Sequence, residues 1–133
     1  NKSNRKLAKF AIDGDSKTIW HSRWSNGQVK HPHQLVVDLG SLYNLSGISY
    51  LARQDNTWNG AFSKVEIYVA IEPEKFSQEP DVEQKLKKDK KAQSINFDGI
   101  KKGRYVKVRV LSEVNGGTWA SASEIGFIGK VSK

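Results

Sequence analysis

Hydrophobic and polar residues alternate with a period of two through much of this chain. In RYVKVRVLSE, Val106, Val108 and Val110 fall on one side and Lys107 and Arg109 on the other. FSKVEIYVA likewise sets Val65, Ile67 and Val69 against Lys64, Glu66 and Tyr68. Successive strand residues point to opposite faces, so this pattern predicts half-buried strands. Residues 34–40 (QLVVDLG), 47–53 (GISYLAR), 93–99 (QSINFDG) and 123–130 (SEIGFIGK) read as further short strands, the first ending in an Asp-Leu-Gly turn. Short strands at this spacing predict an all-β antiparallel sandwich or barrel rather than a βαβ fold. The opening SNRKLAKFAIDGD permits a turn or two of helix through Leu7, Ala8 and Phe10, stopped at Asp13-Gly14. Residues 72–92 form one long polar connection, with helical propensity in DVEQKLKKDKKA. There are no internal repeats.

The length of 133 residues fits a single domain, enough to bury about two-thirds of its unfolded surface. A hydrophobic share of 37% and a charged share of 27% are those of an ordinary globular chain. No apolar run approaches the roughly 18 residues of a membrane-spanning helix. The chain contains no Met and reads as residues 1–133 of a longer polypeptide, a single module cut from it. Zero Cys excludes disulfides, thiolate zinc sites and a Cys nucleophile. The net charge of +8 raises the question of nucleic acid. The densest basic run, KLKKDKK at 85–91, sits beside an acidic, proline-containing stretch and reads as a solvated loop or short helix. No nucleic-acid-binding motif accompanies it, so nucleic acid is not expected as a partner.

The unusual residues gather between the strands, where a sandwich carries its function. WHSRWSNG, RQDNTWNG and NGGTWAS each hold a Trp, and the first two also hold an Arg. A pyranose offers an apolar C–H face for stacking on a ring and an edge of hydroxyls that needs paired donors and acceptors. Arg supplies a rigid fork of donors, while Asn and neutral His supply both donor and acceptor. On these residues alone, Trp58 and Trp119 are either stacking groups or plugs at the ends of the core. Trp20 and Trp24 read as core.

AIDGDSKT places Asp13, Asp15 and Thr18 around a Gly, a set of hard oxygens that either begins a Ca²⁺ site or forms a local Asx-turn. His31 and His33 make a His-x-His without a suitably spaced third ligand, so zinc is not expected. No phosphate loop, nucleophile elbow, HExxH or Ser/His/Asp spacing is present, and the chain reads as non-enzymatic.

With these segments in view, the chain resembles the discoidin family, also known from coagulation-factor C-type domains, and specifically the bacterial carbohydrate-binding modules of family 32. AIDGDSKTIWHSRW, HPHQLVVDLG, ISYLARQDNTWNGAFSKVEIYVA and GRYVKVRVLSEVNGGTWASASEIGFIG carry the resemblance, in family order along nearly the whole chain. Gln34 stands where the family often has an aromatic. The resemblance implies a jelly-roll β-sandwich that binds terminal galactose or N-acetylgalactosamine as an accessory module of a secreted or wall-attached bacterial enzyme. It implies His21, Arg53 and Asn59 as polar ligand-binding residues, Trp119 as the stacking ring and Trp58 as a wall beside it. It also implies a structural Ca²⁺ held by Phe10, Asp13, Asp15, Thr18, Ser123 and Glu124. Glycan is the expected partner, with no integral membrane contact and a monomeric module. Two alternatives stay open: a phospholipid-binding discoidin domain, and a module preferring N-acetylglucosamine.

Overall fold

The computed structural model describes the backbone of Trp20–His21 and residues 32–117 and 120–132. Every element among them is a strand. They are β1 (Trp20–His21), β2 (His33–Leu51), β3 (Lys64–Ala70), β4 (Val82–Lys85), β5 (Gln93–Val110), β6 (Ser121–Ala122) and β7 (Glu124–Val131). Five form an antiparallel sheet in the order β4-β3-β5-β2-β7, and β1 pairs with β6. The expectation of an all-β antiparallel sandwich holds.

β2 and β5 are far longer than the alternation predicted. The first half of β2 (residues 33–38) pairs with residues 105–110 of β5, and its second half pairs with β7 and with the start of β5. Between the halves, the predicted Asp38-Leu39-Gly40 turn is a kink inside the strand. Gly40 has a φ of 85°, and its N–H donates to Asp38 Oδ1 at 2.8 Å. β5 bends likewise at Gly99, also at φ 85°. A local Asp-Gly signal reports the bend but not whether pairing resumes beyond it. That depends on the partner strands.

In β2 the core face follows an alternation that changes parity once. His33, Leu35 and Val37 are buried and Gln34, Val36 and Asp38 exposed, whereas beyond the kink Leu45, Ile48 and Tyr50 are buried. The change of parity falls at the register shift between Leu45 and Gly47. One extra residue in a bulge moves every following side chain to the other face. Val106, Val108 and Val110 face the core as predicted, with Val65 and Ile67 of β3 beside them.

The segment with predicted helical propensity instead contributes edge strand β4. Lys64 to Ile67 of β3 pair with Lys85 to Val82, and Leu86 is buried at 4% exposure. An open ladder edge and a hole for one Leu outweigh a weak local preference in a Lys-rich stretch. The predicted N-terminal helical turn and Trp24 lie outside the described residues, as do the side chains of Trp20 and His21. Among the described residues no helix is long and apolar enough to cross a membrane.

Candidate functional site

The loop that leaves β2 is folded by its own short polar side chains. Asp55 Oδ1 accepts the Thr57 N–H at 3.3 Å, and Thr57 Oγ1 accepts the Asn59 N–H at 3.0 Å. These are the side-chain-to-backbone bonds that Asp and Thr offer in turns. The turn closes at Gly60, whose φ is 84°. A Cβ there would meet the Ala120 carbonyl carbon and the Ser121 nitrogen at 2.7 Å, so only Gly lets the two chain segments touch.

Arg53 is the centre of this loop. It is buried at 7% exposure, with Nε 2.8 Å from Asp55 Oδ1, Nη2 2.7 Å from Oδ2, and Nη1 donating to the Asn59 carbonyl at 3.1 Å. The fork-on-fork geometry fixes the guanidinium plane, and three of its five N–H groups are thereby used. The Arg53 guanidinium holds the Asp55 carboxyl below the ordinary carboxylate value, against the opposing effect of partial burial. Asn59 is half-buried, and its side-chain amide bonds to none of the described residues.

The Lys-rich run, read from sequence as solvated, supplies a structural cation to this loop. Lys90 Nζ donates to the carbonyls of Arg53 at 2.7 Å, Asp55 at 3.0 Å and Thr57 at 2.9 Å. Burial lowers its pKa below the ordinary lysine value, with Asp55 acting in the opposite direction. The same ammonium lies 4.1 Å from the centroid of the Trp58 ring, and Lys88 Nζ lies 5.3 Å from it. Trp58 is thus packed against the core on one side and close to two cations on another.

Two buried groups join this loop to the chain on either side of Trp119. Glu113, 4% exposed, accepts the N–H of Gly60 with Oε2 and that of Gly117 with Oε1, the latter at 2.8 Å. Ser121 Oγ donates to the Asn59 carbonyl at 2.6 Å, and its N–H donates to the Gly60 carbonyl at 2.8 Å. Beneath them the Tyr50 hydroxyl donates to the Ser121 carbonyl at 2.7 Å and accepts the Phe62 N–H at 3.0 Å. Its ring stacks on Phe62 with centroids 4.1 Å apart, and burial pushes the phenol well above its usual pKa.

β1 completes the arrangement, since His21 is the register partner of Ser121. The structure therefore brings the His21 backbone, Arg53 and Asn59 to one end of the sandwich, through Ser121. Trp119 lies outside the described residues, between the fixed Gly117 and Ala120. Of the calcium set, Phe10, Asp13, Asp15 and Thr18 also lie outside them. Ser123 is buried with its N–H on the Leu51 carbonyl, and Glu124 opens β7 opposite Leu51. These two place a main-chain carbonyl and a carboxylate at the β6–β7 junction. An apolar cleft of about 230 Å³ lined by Leu39, Tyr43, Leu45, Phe127 and Gly129 shares no residue with this end.

Sequence reasoning missed Asp55, Lys90 and Glu113. Asp55 had a usable signal, an acid two residues from an Arg in a polar loop. Lys90 had none, because its three acceptors lie 33 to 37 residues away. Glu113 stands out only once Gly60 and Gly117 are known to meet.

The chain matches the F5/8 type C domain family over residues 1–125. It is 33% identical over 116 residues to a galactose oxidase of Gibberella zeae, covering 86% of this chain and 17% of that protein. It is 29% identical over 124 residues to a sialidase of Micromonospora viridifaciens, covering 92% of this chain and 19% of that one. The chain thus spans less than a fifth of either relative. Among solved structures it is similar to CpGH89CBM32-5 of Clostridium perfringens, in complex with GalNAc-beta-1,3-galactose. The TM-score is 0.84 at 30% identity, with 94% of this chain and 85% of that chain covered. It is also similar to the family 32 module of Clostridium perfringens NanJ in complex with galactose, with a TM-score of 0.79, 27% identity and coverages of 92% and 85%.

Proposed function

Because this chain belongs to the F5/8 type C, or discoidin, domain family, we propose that it is a non-catalytic module that binds terminal galactose or N-acetylgalactosamine. The observation that carries the reading is the Arg53 guanidinium, oriented by Asp55 and the Asn59 carbonyl, with two further N–H groups that bond to none of the described residues and a half-buried Asn59 in the same loop. Vicinal hydroxyls need such a preset cluster of donors with an amide beside it. In this reading Arg53 and Asn59 hold O3 and O4, and His21 bonds the axial O4. Trp119 covers the apolar face of the ring. Trp58 walls the neighbouring subsite, because Lys90 already lies over its ring. The galactose and GalNAc-galactose complexes of the similar family 32 modules support the ligand class.

The hard oxygens of Asp13, Asp15, Thr18 and Glu124, with the main-chain carbonyls of Phe10 and Ser123, suit Ca²⁺ better than a softer metal. The ion's role would be to tie the N-terminal segment to the β6–β7 junction. The whole protein would be a secreted or wall-attached enzyme that the module directs to glycan-bearing surfaces. One shallow site implies weak affinity, strengthened on a surface by multivalency.

Calorimetry with galactose, N-acetylgalactosamine, lactose and N-acetylglucosamine tests the reading. Binding of the first three, weakened at least about tenfold by Trp119→Ala, is the expected result. Preference for N-acetylglucosamine would overturn the galactose assignment. Binding to anionic liposomes with no sugar response would replace it with a phospholipid-binding role.

A further inference from the structure

We propose that Lys90 is the positioning residue of the binding loop, an internal cation around which residues 53–57 fold and which presets Arg53 for ligand. What the loop binds rests on the function proposed above. The positioning itself rests on geometry.

Three main-chain carbonyls, those of Arg53, Asp55 and Thr57, converge on Lys90 Nζ at 2.7, 3.0 and 2.9 Å. An ammonium has three donors and all three are used, as they would be in a small cation site built from carbonyl oxygens. Without a cation at their focus, those carbonyl dipoles would point at one another and the loop would open. The same ammonium lies against the Trp58 ring, so it ties the main chain at Arg53 to the aromatic side chain at the far end of the loop. The segment on which Lys90 sits is anchored in turn. Gln54 Nε2 donates to the Lys90 carbonyl at 3.0 Å, and Lys87 exchanges bonds with Gln93 at 2.8 and 2.9 Å. Neighbouring Lys88 makes none of the carbonyl bonds, so the role belongs to one lysine of the run. Lys90 acts through Arg53: it holds the main-chain carbonyls of Arg53 and Asp55, the two residues whose side chains form the guanidinium fork.

The test uses the whole chain and two readouts. The first is the exchange protection of the Arg53 Hε proton, which the Asp55 bond shields whether or not a sugar is present. The second is affinity for N-acetylgalactosamine. Lys90→Met keeps the aliphatic stem and removes the donors. It should speed Arg53 Hε exchange and weaken sugar binding at least about tenfold while the variant remains folded. Lys90→Ala should be rescued on both readouts by n-propylammonium, which restores the missing atoms. Tetramethylammonium at equal concentration, with the same charge and no N–H donor, should not rescue it. Unchanged Arg53 protection in Lys90→Met, or equal rescue by the two ions, would overturn the proposal. Loss of protection in a chain whose parent binds no galactose-configured sugar would uphold the positioning and overturn the function proposed above.

Discussion

Glu113→Gln is a sharp test of how this end of the sandwich is held. The side chain is 4% exposed, and each carboxylate oxygen accepts one main-chain N–H, from Gly60 and from Gly117. The amide keeps nearly the same shape but retains one acceptor and places an NH2 group where an acceptor stood. One charge-assisted bond worth roughly 1.5–3 kcal/mol is lost, and a glycine N–H faces a donor at a further cost of about 1–3 kcal/mol. Relief from burying a charge offsets part of this, because an uncharged amide is cheaper to desolvate. The net expectation is about 2 kcal/mol, a large share of a total stability of roughly 5–15 kcal/mol. Urea unfolding followed by tryptophan fluorescence should show a lower midpoint with an unchanged slope. Thermal unfolding should fall by roughly 5–10 °C. Affinity for N-acetylgalactosamine should fall as well, because Glu113 sets the Gly60 side of the site relative to the chain that carries Trp119. A variant within about 0.5 kcal/mol of the parent would refute this account of the join, since that is the range of an unremarkable surface change.

The Asp55 carboxyl is held below its ordinary pKa by Arg53, so its contribution to stability is complete above the usual carboxylate value and is lost as pH falls through its folded value. Urea melts from pH 6 to pH 2.5 should show that loss in the parent and its absence in Asp55→Asn, which should also bind galactose about tenfold more weakly. Gly40 and Gly60 share a positive φ, but a Cβ at Gly40 has nothing within 4 Å whereas one at Gly60 meets backbone at 2.7 Å. Calorimetry should give Gly40→Ala a loss of about 1 kcal/mol from strain alone and Gly60→Ala about 3 kcal/mol or more with weakened sugar binding. Adding Ca²⁺ to chelator-treated protein should raise the unfolding temperature while leaving sugar affinity nearly unchanged, and Asp15→Asn should abolish the shift. No shift with Ca²⁺ would refute the metal assignment.

Local sterics and patterning were enough to specify part of this protein. Period-two alternation in 64–67 and 104–110 marks both the strands and their inward faces, because side chains on a pleated strand have only two directions to point, whereas Tyr68, read as outward, is buried and Val69 only partly so. Arg53, Trp58 and Asn59 declared themselves by being costly residues gathered in a polar loop, and the family motifs placed them in order. The remainder came from contacts between distant segments. Whether Asp38-Leu39-Gly40 ends a strand or bends one depends on β7 and β5 offering edges beyond it. The fate of 82–86 depended on the free edge of β3 and a place in the core for Leu86, neither visible within that segment. Above all, Lys90 and Glu113 look like solvated charges in the sequence. They become the fixed points of the candidate site because groups far along the chain converge on them. For Lys90 these are carbonyls 33 to 37 residues away, and for Glu113 the N–H of Gly60, separated from it by 53 positions. A charge is cheap in water and expensive in a fold, so only the fold can show which charges it was built around.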